Sequence, residues 1–120
     1  MRWTVEFYEQ EDGFAPVENF LAGLPLGPRA KALAIVRLLE ELGPALPFPY
    51  SSQVEGKLRE LRTQFGKDKI RILYFGDARR QFILLHALLK RTDKLGREDI
   101  EIAMKRMEFH NARLTGSRKK

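Results

Sequence analysis

Three strand-length stretches follow one another between residues 57 and 92 with so little chain between them that an antiparallel meander is the natural way to fold them. Residues 57–65, 69–76 and 80–90 are joined only by Gly66-Lys67-Asp68 and Gly76-Asp77-Ala78-Arg79, links short enough for hairpins. Lysines and arginines interrupt all three: Lys57-Leu-Arg-Glu-Leu-Arg62, Lys69-Ile-Arg-Ile-Leu-Tyr-Phe75 and Gln81-Phe-Ile-Leu-Leu-His-Ala-Leu-Leu-Lys-Arg-Thr92. A charged side chain is costly inside a sheet core and has to reach water, a partner or a ligand at the sheet surface. A sheet face that carries several cations is a seat for phosphate.

The rest of the chain supplies the other elements of an α+β domain. Trp3, Val5 and Phe7 alternate with Thr4, Glu6 and Tyr8, the period of a strand with one buried face, and Asp12-Gly13 ends it. A short helix is predicted over Val17 to Leu24, closed by Gly23 to Pro25, and a longer one over Pro28 to Leu42. Leu33, Val36, Leu39 and Leu42, with Ile35 and Leu38, form its expected apolar face; Gly43 caps its C-terminus and Pro44 forbids continuation. Pro44 to Ser52, with three prolines, reads as an irregular return loop to the sheet. A last helix is predicted from Arg97 to Asn111 around Ile100, Ala103, Met104 and Met107, with Glu98, Asp99 and Glu101 suited to its first turn. Residues 1–111 then make one domain, and 112–120 a flexible basic tail.

Charge is divided unevenly. Residues 1–56 hold four Lys/Arg against eight Asp/Glu, a net of −4, and residues 57–120 hold eighteen against eight, a net of +10. The excess over the meander and the last helix points to a polyanion, although a solvated lysine-rich face has the same composition. The absence of cysteine excludes disulfides and thiolate chemistry, and two histidines do not assemble a metal site, so no metal or cofactor is expected. No run approaches the roughly 18 to 20 apolar residues of a membrane span, and residues 1–6 lack the apolar core of a signal peptide. A cytoplasmic protein without membrane partners is the simplest expectation.

Lys57-Leu-Arg-Glu-Leu-Arg62, Arg71-Ile-Leu-Tyr-Phe75, Leu84-Leu-His-Ala-Leu-Leu-Lys-Arg-Thr92 and Ile100-Glu-Ile-Ala-Met-Lys-Arg106, in this order and spacing, resemble the RelE/ParE superfamily of bacterial toxins, and within it the phage-derived HigB-like branch. The match covers residues 55–107 well and residues 1–50 in layout only. The resemblance implies a RelE-like fold: an N-terminal strand, a two-helix hairpin, a three-stranded meander in one sheet with the first strand, and a C-terminal helix. It also implies the toxin of a type II toxin-antitoxin pair, cleaving mRNA in the translating ribosome and silenced by a small antitoxin, expected to be a helix-turn-helix protein that alone contacts DNA. Two departures stand out: Leu95-Gly96 replaces the Thr-Pro with which relatives commonly start the last helix, which predicts a loose first turn, and Leu89 replaces a common aromatic.

The chemistry of such a nuclease sets what to look for. RNA cleaves itself when a 2′-hydroxyl attacks the adjacent phosphorus, so the protein needs no metal but has to stabilise the phosphorane, for which arginine's planar fork is the best side chain. By resemblance Arg62 and Arg71 are the first candidates, with Tyr74, His86 and Lys90 as further catalytic candidates and Lys57, Arg59, Lys69, Arg91 and Lys94 as contacts to RNA or ribosome. Each has a structural alternative. Arg62 can pair with Glu60, Arg71 can be a solvated strand arginine, Tyr74, expected by resemblance to be a better-exposed proton donor than His86, can be packing, and Lys90, Arg91 and Lys94 can be a solvated strand end. His86 sits among Leu84, Leu85, Ala87 and Leu88, company that suits a packed, hydrogen-bonded histidine at least as well as a proton shuttle. Two other functions share the sequence features: a ParE-like topoisomerase poison, which has no need of strand cations, and a non-catalytic nucleic-acid-binding or adaptor module.

Overall fold

The computed structural model describes residues 2–92 and 94–116. Strand β1 (Val5–Phe7) is followed by helices α1 (Pro16–Ala22) and α2 (Leu26–Leu42), a short 3-10 turn (Gly43–Ala45), and strands β2 (Ser51–Glu55), β3 (Leu58–Phe65), β4 (Asp68–Gly76) and β5 (Phe82–Lys90). Helix α3 (Arg97–Gly116) ends the described chain. The strands form one mixed sheet in the order β1-β5-β4-β3-β2, with β1 parallel to β5 and every other pair antiparallel. The layout agrees with the expected RelE-like α+β fold, and no described helix is long and apolar enough to cross a membrane.

Helices pack on both faces of the sheet, so the central strands are buried on two sides and carry apolar residues at consecutive positions. Leu61, Ile70, Ile72, Tyr74 and Leu84 meet Val17 and Leu21 of α1 and Ala32, Ile35 and Leu39 of α2. On the other face Leu58, Leu73, Phe75, Ile83 and Leu85 meet Ala103 and Met107 of α3. Each such Leu or Ile withdrawn from water contributes about 1.5–3 kcal/mol, and most of what holds the sheet between its helices lies in these two layers.

The structure changes four of the expectations. The first concerns the stretch before the meander: it leaves the irregular loop at Ser51 to pair with β3, Ser51 opposite Leu61 and Gln53 opposite Arg59, adding a fifth strand at the sheet edge. Ser-Ser-Gln-Val-Glu carries almost no apolar signal because an edge strand buries little. The second concerns α2, whose buried face is Pro28, Ala32, Ile35 and Leu39, while Leu33 and Leu42 are exposed. Steps of three residues drift around a helix of 3.6 residues per turn, so Leu33 and Leu42 end on roughly opposite sides.

The third concerns the C-terminus, where helix α3 does not stop at Asn111 but continues through Gly116. Arg113 lies over the rings of Phe109 (4.9 Å) and Tyr8 (5.6 Å) and donates from Nη2 to the Glu9 carbonyl at 2.6 Å, tying the last turns to the N-terminal segment. The remainder of the expected tail, 117–120, lies outside the described residues. The fourth concerns the start of α3, whose first turn is held without a good N-cap: Arg97 donates to Glu55 at 2.8 Å, and Asp99 meets His86 Nε2 at 2.8 Å.

A bulge in β5 decides which side chains share a face. Tyr74 pairs with Leu84 and its neighbour Leu73 with His86, leaving Leu85 as an extra residue on β5. Beyond it the alternation is inverted, so His86, Leu88 and Lys90 rise on the α3 face and Ala87 and Leu89 on the other. Arg106 of α3 donates from Nη1 to the Leu85 carbonyl at 2.8 Å, giving this bulge carbonyl a partner. Burial there pulls the Arg106 guanidinium below its ordinary pKa, with the nearby Tyr8 acting in the opposite direction.

Candidate nucleic-acid interface

Arg62 on β3 stands directly opposite Arg71 on β4. One step along, Lys69 faces Gln64 on one side and Lys90 on the other. Residues in register share a face, and alternate residues along a strand return to it, so Arg62, Lys69, Arg71 and Lys90 all project from the α3 face. His86, opposite Leu73, joins them because of the bulge.

Like charges directly across a ladder repel, and Glu60 resolves this conflict. Its carboxylate accepts from Arg62 Nη1 at 3.2 Å through Oε2 and lies 3.6 Å from Arg71 Nε through Oε1, one oxygen for each arginine. Arg71 is 3% exposed, so it is not the solvated strand arginine of the structural alternative; its Nη1 donates to the Ile70 carbonyl at 3.1 Å. Arg62 does pair with Glu60, as that alternative anticipated, and keeps a quarter of its side chain open to solvent. Both arginines, with Lys31, Tyr50 and Thr63, line an open concavity of about 290 Å³ at the edge of β3. The trio of Arg62, Arg71 and Glu60 keeps one net positive charge there, which a phosphate oxygen can neutralise without stripping either arginine of Glu60.

Other candidates are placed differently. Tyr74, expected to be the better exposed of the proton-donor candidates, is 2% exposed on the opposite face, where its hydroxyl meets Ser51 Oγ at 2.7 Å. Arg59, in register with Tyr74, donates from Nε to the same Ser51 oxygen at 3.1 Å, so it too leaves the cluster. The odd-numbered positions of β3 and the even-numbered ones of β4 belong to the α1/α2 face, and that is the physical reason for both.

His86 is on the correct face but both ring nitrogens are engaged. Nε2 faces Asp99 at 2.8 Å and Nδ1 faces Arg106 Nη1 at 3.5 Å. Because Arg106 can only donate, Nδ1 accepts and Nε2–H donates to Asp99; His86 is a strut between β5 and α3 more than a free proton shuttle. Arg91 is exposed and donates to Asp68 at 3.2 Å; Lys57, in the β2–β3 turn at the other end of β3 from the concavity, and Lys94 are exposed and not among its lining residues.

Two residues of the candidate site carry little sign of it in the sequence. Glu60 registers there only as a competitor for Arg62, and its second contact, to Arg71, depends on strand register. Lys31 comes from α2, about thirty positions before Arg62, and no local pattern ties the two together. A further cluster lies at the β4–β5 turn, where Asp77 accepts from the Arg79 and Gln81 amides (2.9 and 3.2 Å), the Arg79 side chain (2.6 Å) and His110 Nε2 (3.0 Å). Burial alone raises the pKa of this carboxyl, but the bonds from His110, Arg79 and the turn amides outweigh it and hold Asp77 below the usual carboxylate value.

No curated protein matches this sequence. A family model does match, over residues 19–108, a span that takes in α2, the whole meander and most of α3 and therefore every cation of the cluster. The chain belongs to the family described as phage-derived protein Gp49-like (DUF891).

Proposed function

We propose that this protein is the toxin of a type II toxin-antitoxin pair, a ribosome-dependent mRNA endoribonuclease of the HigB-like branch of the RelE superfamily. Its Gp49-like membership and RelE-like layout support the toxin reading. The observation that carries the nuclease reading is the direct opposition of Arg62 and Arg71 on one sheet face, beside one concavity, with Lys69 and Lys90 on the same face. A topoisomerase poison has no use for that constellation.

In this reading the scissile phosphate sits against Arg62 and Arg71. The 2′-hydroxyl loses its proton and attacks phosphorus, negative charge builds on the non-bridging oxygens, and the departing 5′ oxygen takes up a proton. Fixed guanidinium groups held by Glu60 need no reorganisation as that charge appears, and one such donor contributes about 10²–10³ in rate. Lys69 and Lys90 strengthen the same field, and the exposed Lys57, Arg91 and Lys94 hold flanking phosphates or ribosomal RNA. A small antitoxin, proposed to be a helix-turn-helix protein, silences the toxin and provides any contact with DNA.

Translation in a reconstituted system, with the 5′ ends of the mRNA mapped, tests this reading. It expects cuts that require ribosomes, persist in EDTA-treated toxin, and leave a 2′,3′-cyclic phosphate. Gyrase-dependent DNA breaks with intact mRNA would move the protein to the topoisomerase-poison class.

A further inference from the structure

The segment before β2 shows its aromatic rings to solvent. Phe48 is 70% exposed and Tyr50 47% exposed, on a loop whose one deep anchor is Leu46. Single exposed apolar residues are ordinary, but three features set these two apart. Pro47 and Pro49 restrict the backbone on either side of Phe48, and the amides of Tyr50 and Ser51 both donate to the Pro47 carbonyl (2.9 and 3.0 Å), so the rings are displayed by a stiff loop. The Arg62 amide donates to the Tyr50 carbonyl at 2.8 Å, which fixes this loop against the cation cluster. Finally, the Arg62 guanidinium lies over the Phe48 ring, 5.4 Å from its centroid, and Tyr50 lines the same concavity as Arg62.

An aromatic ring with a cation on one face and solvent on the other, next to a seat for phosphate, has the components of a single-stranded nucleic-acid platform: charge for the backbone and a π surface for a base. We infer that Phe48 and Tyr50 form a base-stacking platform that receives an unpaired RNA base next to the phosphate held by Arg62. The inference rests on the proposed RNA-cleaving reading for the identity of the bound chain, and it adds the element that grips the base. The pre-set loop lowers the ordering cost of binding. Because every base has a π face, the platform contributes affinity without sequence choice.

The test is a fluorescence-anisotropy titration of the full chain, at low ionic strength, with a single-stranded oligoribonucleotide made uncleavable by 2′-O-methylation and with an abasic strand of the same length. For the base-bearing strand, Phe48→Ala and Tyr50→Ala are each expected to weaken binding about 10-fold, equally for the four homopolymers, and Phe48→Trp to keep it. Binding of the abasic strand is expected to be weaker and unchanged by either alanine. Because Phe48 is mostly exposed, its variants should melt near the wild type, and Phe48→Trp carries the comparison should the alanine variant unfold.

Binding of the base-bearing strand by Phe48→Ala at wild-type strength, equal losses on the two strands, or no wild-type binding at low salt would each overturn the platform. Base-dependent binding by a protein that never cuts mRNA in reconstituted translation would remove the nuclease reading and leave the platform standing.

Discussion

Glu60→Gln isolates the electrostatics on which the site is built. The substitution keeps the size of the side chain and removes a carboxylate shared by two arginines that face each other across the ladder. At 3.6 Å from Arg71 Nε, the carboxylate contributes about 4 to 5 kcal/mol of attraction at an effective dielectric of about 20. The 3.2 Å pair to the partly solvated Arg62 adds no more than about 1 kcal/mol. Against this stands the desolvation of the carboxylate, several kcal/mol, which the variant no longer bears. The net expectation is a loss of about 2 to 3 kcal/mol, or roughly 8 to 12 °C in Tm for a domain of this size.

Thermal melts of Glu60→Gln, Arg71→Met and the double variant provide the assay. A coupling of at least about 2 kcal/mol is expected between the two positions, since Arg71→Met removes the charge beside the Glu60 carboxylate. Glu60→Gln is also expected to keep or strengthen binding of oligoribonucleotides, because the cluster becomes more positive. A Tm within about 2 °C of wild type, or losses that simply add, would show that Glu60 does not hold the arginine pair.

Asp77→Ala should cost about 2 to 4 kcal/mol by removing the acceptor that joins the β4–β5 turn to α3, read by chemical denaturation. Since the Asp77 carboxyl is held below its unfolded value of about 3.9, its contribution is present above about pH 4 and lost as pH falls through the folded value. The stability gap between wild type and Asp77→Asn should therefore narrow on acidification below about pH 4, and a constant gap would contradict this. Gly43→Ala should cost about 2 to 3 kcal/mol, because residue 43 has φ of +55° and a Cβ there would overlap the Trp3 indole; a melt near wild type would refute the overlap. Arg113→Ala should lower stability by about 1 kcal/mol through its contacts with Phe109, Tyr8 and the Glu9 carbonyl, whereas no change is the outcome of a mobile tail.

What the sequence discloses depends on how local the cause is. The meander is visible because its links are short and its apolar runs long, and the stop of α2 at Gly43 is visible because the φ of +55° there suits glycine. Arg62 and Arg71 could be paired by eye because a hairpin turn at Gly66 sets their register. The bulge at Leu85 leaves no mark in a run of apolar residues, yet it decides that Lys90 joins Arg71 on one face. Simple alternation carried through β5 from Leu84 would place Lys90 on the face of Tyr74. The burial of Tyr74 has a related cause: a strand buried on both faces has no solvent side for a tyrosine to occupy, and its hydroxyl is satisfied by Ser51, a residue of an edge strand with little apolar signal. Contacts across long separations, such as Glu60 to Arg71 or Arg106 to the Leu85 carbonyl, exist only once the register is set.

The rate of cutting of one ribosome-bound mRNA by a small set of charge variants tests the account most directly. Arg62→Ala, whose partly exposed side chain lines the concavity, should cut about 10²–10³ more slowly while melting close to wild type, and Lys105→Ala, an exposed cation on α3 away from the cluster, should cut at the wild-type rate. Equal rates for the wild type and Arg62→Ala, or the same loss for Lys105→Ala, would contradict the claim that the opposed arginines of β3 and β4 hold the scissile phosphate.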